Sequence, residues 1–409
     1  MNILVINHYV GGLKYGMEYR PYYLAREWVK MGHQVTLIGA SFSHLRLQQP
    51  TVDRDFVEET IDGIHYVWLK TPVYQSSLTR IKNIFVFIRK LWRYSEKISK
   101  LVQPDLVIAS STYPLDIYPS RKIAKISRAK LCYEVHDLWP LSPMVIGGYP
   151  KWHPFIVVMQ MAENYAYKYV DNVISLLWNA EQHMREHGLA EGKFKCIPNG
   201  YCKADWECVN LEERLPEAHE VLFEKLKNNI IVGFAGGFAA SGSLDTLIRA
   251  AMLLKKETNL SFVLVGKGIE QGNLEELVKK YSLSNVFFLP AVAKIQVPLV
   301  IKYFDIAFIG GVHSILHKYG TSANKLTDYM LSAKPIVQAV DEQNSMVERV
   351  RCGICVEAEN ARAVANAILK LIHMSEKERS DMGRKGSVYV RDNLEYGILA
   401  KRFIEEVNM

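Results

Sequence analysis

Residues 319–335 read Tyr-Gly-Thr-Ser-Ala-Asn-Lys-Leu-Thr-Asp-Tyr-Met-Leu-Ser-Ala-Lys-Pro and run directly into Ile336-Val337-Gln338-Ala339. A polar opening, helix formers over 323–331 and apolar Leu326, Met330 and Leu331 on one side predict a loop, a helix and a strand. Thr321 or Ser322 stands where it could cap that helix. Lys325 and Asp328 lie three residues apart, on one face of the opening turns. A helix N-terminus offers unpaired N–H groups and partial positive charge, which suits a diphosphate, while a nearby carboxylate can accept both hydroxyls of a ribose. The competing reading is an amphipathic helix whose Lys and Asp merely face water.

Outward from that stretch, strand-like and helix-like segments alternate along the chain. The first half places strands at 3–7, 35–40, 65–70, 105–110, 130–135, 172–176 and 194–198, with helices near 18–31, 116–127, 155–169 and 180–187. A charged stretch over 203–227 reads as a linker with a short helix. A second series follows, with strands at 230–235, 262–265, 286–289, 306–309, 336–340 and 354–357. Such alternation implies α/β architecture with parallel sheets covered on both faces. The expected fold is two doubly wound, Rossmann-like domains facing across a cleft: 1–205, a linker at 206–228, 229–390, and a C-terminal helix at 391–409 that packs back on the first domain.

The 409 residues carry a net charge of +7, and residues 1–200 hold 24 basic against 17 acidic side chains while the remainder is balanced. The excess concentrates in 79–100, where Arg80, Lys82, Arg89, Lys90, Arg93, Lys97 and Lys100 alternate with Phe85, Phe87, Trp92 and Tyr94. A basic, aromatic-rich helix suits the anionic inner face of a membrane, or else packs through its apolar side with its lysines solvated. No nucleic-acid module accompanies it, so nucleic acid is not an expected partner. With no basic leader ahead of the first strand and no spanning apolar run, a cytoplasmic or peripheral protein is expected.

The cysteines, Cys132, Cys196, Cys202, Cys208, Cys352 and Cys355, are too scattered for a disulfide framework. Cys352-Gly-Ile-Cys355 reads as the start of a strand. His183-Met-Arg-Glu-His187 matches an inverted zinc-protease pattern. It sits on a short polar helix with no third ligand evident in sequence, so no metal site is expected.

Ligands of doubly wound sheets bind at the carboxyl ends of strands, which directs attention to Gly11-Gly12, His136-Asp137-Leu-Trp-Pro140, Gly236-Gly237 and Gly266-Lys267-Gly268. None completes a dinucleotide or Walker fingerprint, which argues against a dehydrogenase. Together with Arg20 before Leu24-Ala-Arg-Glu, Gly32-His33-Gln-Val-Thr-Leu, Val135-His136-Asp137, Pro198-Asn199-Gly200, Gly233-Phe-Ala-Gly236 and Asn324-Lys-Leu-Thr-Asp328-Tyr-Met, these turns make the chain resemble the retaining glycosyltransferases of family 4, of GT-B fold. The motifs around Asp137 and Asn324 look most like bacterial O-antigen and capsule enzymes.

The resemblance implies metal-independent transfer of a sugar from a UDP-sugar, bound by the second domain, to a glycan or lipid-linked acceptor bound by the first, with no cofactor. It assigns His136 to the transferred sugar and Asp328 to the ribose. It assigns Lys325, Asn324, Ser322, Gly236, Gly237, Gly266 and Lys267 to the remaining donor contacts, and Gly11, Gly12 and Arg20 to the acceptor loop. Two positions depart from the family pattern: the first acid of its paired-acid motif falls at Gly320, and the loop Gly236-Gly237-Phe-Ala-Ala-Ser-Gly242-Ser lacks the usual Arg and Lys. Backbone N–H groups, the helix end at Ser322 and Lys325, or another basic residue such as Lys267 or Lys318 would then have to meet the leaving diphosphate. The alternatives are a non-catalytic nucleotide-sugar or glycan-binding partner of another transferase, and an epimerase of the same fold.

Overall fold

The computed structural model describes residues 1–207 and 214–408, so Cys208 and part of the 206–228 stretch lie outside the described residues. Two compact units divide at Asn199 and again at Glu395: Met1–Asn199 with Tyr396–Met409 form the first, and Gly200–Glu395 the second. The stretch read as a linker includes the Glu217–Lys225 helix, which belongs to the second unit: Phe223 is buried and stacks on Tyr303 at 4.3 Å, and the His219 ring lies 3.0 Å from the Pro290 carbonyl. Its apolar side explains why charge alone misreads it.

The first unit contains β1 (Asn2–Ile6), β2 (Gln34–Ala40), β3 (Val57–Ile61), β4 (Ile64–Leu69), β5 (Leu106–Ala109), β6 (Lys130–Val135), β7 (Asn172–Ser175) and β8 (Phe194–Cys196), in the spatial order β3-β4-β2-β1-β5-β6-β7-β8. Only β3 runs antiparallel. Apolar runs such as Ile3-Leu4-Val5-Ile6 are buried throughout, as a strand covered on both faces requires. The strand order reverses between β1 and β5, which fixes the ligand end of this sheet at the turns after them.

The second unit contains β9 (Ile230–Gly237), β10 (Leu260–Lys267), β11 (Val286–Leu289), β12 (Ile306–Gly310), β13 (Ile336–Ala339) and β14 (Gly353–Val356), all parallel in the order β11-β10-β9-β12-β13-β14. This is the doubly wound 3-2-1-4-5-6 pattern, with its reversal between β9 and β12. One face is covered by the Leu244–Leu253 and Ala361–Ile372 helices, whose Leu247, Ile248, Ile368 and Leu371 pack among Phe262, Leu264 and Phe308. In the same unit, Asn324–Leu331 lies against Glu376–Asn393 so closely that a Cβ at Gly383 would meet the Ala333 carbonyl oxygen at 1.9 Å.

The basic segment 79–100 is not one helix. It divides into Ser77–Arg93 and Ser95–Val102, because the Ser95 hydroxyl donates to the carbonyls of Leu91 and Trp92 (3.0 and 2.9 Å) and competes with the backbone ladder. Ser76 caps its first turn through the Thr79 amide.

Candidate functional site

In the second unit the two glycine turns lie side by side, because β9 and β10 pair Gly236 with Gly266 and Gly237 with Lys267. A Cβ on Gly266, whose φ is +157°, would come within 1.9 Å of the Gly236 oxygen, so the turns can meet only without side chains. Lys325 reaches this place from the Asn324–Leu331 helix. Its Nζ lies 4.4 Å from the Phe234 ring centroid and 3.3 Å from where a Cβ on Gly236 would stand. Burial lowers its pKa, which marks an ammonium partly withdrawn from water. Tyr329 locks the helix to the end of β9: its hydroxyl accepts from the Ala235 amide at 2.8 Å.

The helix starts at Asn324 with Ala323 as its cap, so neither Thr321 nor Ser322 caps it, contrary to the sequence expectation. Thr321 is held elsewhere. Its amide and hydroxyl both donate to Glu342, at 2.9 and 2.7 Å, and Gln338 Nε2 donates to the same carboxylate at 2.8 Å. The first turn of the helix has no side-chain cap, and its Leu326 amide bonds back to the Ala323 carbonyl at 3.0 Å. Asp328 lies one turn further along, half-buried, and burial pushes its carboxyl up to about 6, against the opposing charge of Lys294. Asn324 and Lys267 are exposed and Ser322 is half-exposed.

Gly320 adopts φ 104° and ψ 160°, a backbone conformation open essentially to glycine alone. An acid could not simply be placed there. The carboxylate beside it comes instead from Glu342, after β13, which the sequence reading missed because its link to Thr321 spans the intervening helix and strand. Glu342, Asp341, His313 and exposed Lys318 line a cavity of about 690 Å³ at the carboxyl end of β13 and β14.

In the first unit, a buried polar network assembles at the turns after β1, β5 and β6. Glu134 accepts from Arg20 Nε at 3.0 Å and from the Ser110 hydroxyl at 2.6 Å, and lies 3.2 Å from His136 Nε2. Burial alone would raise the Glu134 carboxyl, but Arg20, His136 and Ser110 hold it down at about 2. Burial likewise opposes charging of His136, yet the Glu134 bond and charge and the nearby Glu18 carboxylate raise its pKa above the usual imidazole range. His136 therefore carries positive charge more readily than an ordinary histidine.

Arg20 does not face a ligand as expected. It is buried, and besides Glu134 it donates to the carbonyls of Pro198 (2.6 Å) and Ile197 (2.8 Å), tying the first helix to the strand end after β8. Gly11 is similarly committed: a Cβ there would lie 2.2 Å from the Met17 oxygen, while a Cβ on Gly12 would touch the Tyr22 ring at 3.0 Å. The glycines let the 11–17 loop fold on itself. That loop delivers a residue absent from the sequence reading, Glu18, which sits in the left-handed region at φ 46° after Met17 at φ 56°. Burial raises its carboxyl, with His136 opposing and Asp137 and Glu134 adding to the rise. Two consecutive strained non-glycine residues were the signal, and they are visible only in three dimensions.

Residues 15–202 match the family described as Glycosyltransferase Family 4, and residues 229–374 match Glycosyl transferases group 1. A curated relative, the putative colanic acid biosynthesis glycosyl transferase WcaI of Escherichia coli, is 23% identical over 382 residues, covering 87% of this chain and 90% of the relative. Among solved structures, Anabaena HepE in complex with UDP and glucose has a TM-score of 0.66 at 15% identity, covering 100% of this chain and 99% of that one. WaaG, a glycosyltransferase involved in lipopolysaccharide biosynthesis, has a TM-score of 0.64 at 14% identity, with 99% of each chain covered. The two family matches span most of the chain, and the two parallel α/β units are of the GT-B kind; the chain belongs to glycosyltransferase family 4.

Proposed function

We propose that this protein transfers a sugar from a UDP-sugar to a glycan or lipid-linked acceptor in surface polysaccharide assembly, retaining the anomeric configuration and using no metal. The observation that carries the reading is Lys325 beside Gly236. The turn after β9 has no basic residue of its own, and an ammonium from the neighbouring helix stands at it, where a departing diphosphate needs positive charge. The binding-partner alternative rests on that missing charge and on the missing first acid, and the Lys325 position answers the first of these in favour of the transferase.

In this reading Asp328 accepts the ribose hydroxyls, and the uncapped helix start and the Gly236 and Gly266 turns receive the diphosphate. Asn324, Ser322, Gly237 and Lys267 border the same end of the sheet. His136, more readily protonated because of Glu134, donates to a hydroxyl of the transferred sugar and offsets the negative charge that builds on the departing diphosphate. The acceptor hydroxyl attacks from the face the diphosphate leaves, and a phosphate oxygen takes its proton. The relatives named for colanic acid and lipopolysaccharide assembly and the UDP complexes support the polymer and nucleotide assignments.

UDP release from a panel of UDP-sugars with a lipid-linked acceptor tests the proposal, with NMR of the product for its anomeric form. Lys325→Met should lower kcat about 10²–10³-fold, and chelation should leave the rate unchanged. Tight UDP binding without turnover across the panel would support the binding-partner reading, and conversion of the nucleotide sugar without acceptor would support the epimerase.

A membrane partner is part of the same proposal. On the Ser77–Arg93 helix, Ile84, Phe87 and Leu91 are buried, while Leu78 (80% exposed), Phe85 (46%) and Trp92 (50%) share an outward stripe with exposed Lys82 and Arg89. Among the described residues no helix is long and apolar enough to cross a membrane. Apolar and basic side chains at helical spacing on one face suit an anionic lipid surface.

A further inference from the structure

We propose that Glu163, His183 and His187 form a binding site for a divalent transition-metal cation of the zinc class, outside the sugar-transfer machinery. The His183-Met-Arg-Glu-His187 pattern lacks a third ligand in sequence, and its own acid does not supply one: Glu186 is exposed and accepts from Gln182 at 3.0 Å. The third ligand comes from another helix. Glu163, on Pro154–Tyr169, meets the two histidines of Glu181–Glu186 and its C-cap, and one ligand atom from each residue lies within 4.8 Å of the others.

The geometry suits a metal. His183 Nε2 and Glu163 Oε1 stand 3.2 Å apart, close to the spacing of two ligands bound at ~2.1 Å to one zinc ion. The His183 and His187 rings, four residues apart, have centroids 4.3 Å apart. The outer contacts match what metal-binding side chains need. His187 Nδ1 lies 2.8 Å from the His183 carbonyl oxygen, which fixes the ring and leaves Nε2 as the nitrogen to ligate. Gln160 Nε2 donates to Glu163 Oε2 at 2.7 Å and the Tyr167 hydroxyl to Oε1 at 3.0 Å. Glu163 and His183 are buried while His187 is half-buried, which leaves one side open for the cation to enter and for water to complete its coordination. Two imidazole nitrogens and one carboxylate favour zinc over magnesium or calcium. The bound cation takes the place of the hydrogen between Nε2 and Oε1 and cross-links the two helices that flank β7 in sequence.

The test uses the full-length protein, stripped with chelator, dialysed against zinc and assayed by elemental analysis. About one equivalent per chain should be retained, with no retention of magnesium. Cobalt in its place should give visible d–d bands without a thiolate charge-transfer band. His187→Gln and Glu163→Gln should each weaken zinc binding at least about tenfold. Because His187 is half-exposed, its replacement should leave the fold intact, and zinc should raise the unfolding midpoint of the wild type but not of that variant. Failure to retain zinc, a thiolate band placing the cation on a cysteine, or affinity unchanged in both variants would overturn the proposal.

Discussion

The ammonium of Lys325 and the carboxyl of Asp328 are three residues apart on one helix, and burial pushes both away from their ordinary charged states. For Asp328 this has a measurable sign. A carboxyl raised from 3.8 to about 6 favours folding fully below its ordinary value, and that contribution is lost as pH rises through 6. A ribose-binding carboxylate pulls the other way. The affinity for a UDP-sugar, whose diphosphate has no ionisation near 6, followed by calorimetry, should therefore fall about tenfold per pH unit below about 6 in the wild type if Asp328 holds the ribose as proposed, and be weak and nearly pH-independent in Asp328→Asn. Glu134 behaves in the opposite sense: held at about 2, it stabilises the fold above its ordinary 4.5, and that stability is lost as pH falls through 2. Arg20→Met should strand this buried carboxylate at a cost of about 3–5 kcal/mol. Urea titrations should show the loss, with acid unfolding starting at a higher pH than in the wild type.

Strands and helices show how a chain's pattern is read and where it misleads. Runs such as Ile230 to Ala235 announce buried strands because both faces are covered, so every position is apolar. The edge strand β3, Val-Glu-Glu-Thr-Ile, escapes that criterion because it alternates between half-buried and exposed positions. The Asp62-Gly63 turn linking it to β4 was the available signal, with both residues at positive φ as a tight hairpin demands. The break at Tyr94 escaped for another reason: a serine hydroxyl bonding back to its own helix leaves no trace in hydrophobic periodicity. The Ser77–Arg93 helix also separates two kinds of basic residue. Arg80 donates to the Tyr9 hydroxyl at 3.1 Å, and Lys90 pairs with Asp55 at 2.6 Å, so both serve packing. Arg89 and Trp92 remain on the outward stripe. Replacing both with alanine should reduce cosedimentation with phosphatidylglycerol vesicles about tenfold or more, since each basic residue contributes ~1 kcal/mol at such a surface. Unchanged cosedimentation would remove the membrane from the proposed function.

At the scale of the whole molecule, two parallel units were legible because strand-turn-helix punctuation repeats along the chain. The meeting of Gly236, Gly266 and Lys325, which the proposed function reads as a donor site, was legible too, since they belong to local motifs brought together by sheet order. The first unit's network was not: Arg20, Glu134 and the Pro198 carbonyl are joined across more than a hundred residues of chain, and Arg20 turns out to hold the scaffold instead of a ligand. The same unit is closed by the Tyr396–Asn408 helix, distant in sequence. Trp28 on Tyr19–Lys30 is covered by Tyr396–Asn408, donating to the Ala400 carbonyl at 3.0 Å and meeting the Phe403 ring edge-on at 5.1 Å. Phe403→Ala should cost about 3–5 kcal/mol, read as a lowered unfolding midpoint of the first unit. The arrangement also sets an order of events during synthesis. Residues 1–199 leave the ribosome well before the helix that covers Trp28, so a nascent chain carries Trp28 uncovered while the second unit is translated, and the first unit closes only once residues 396–408 have followed.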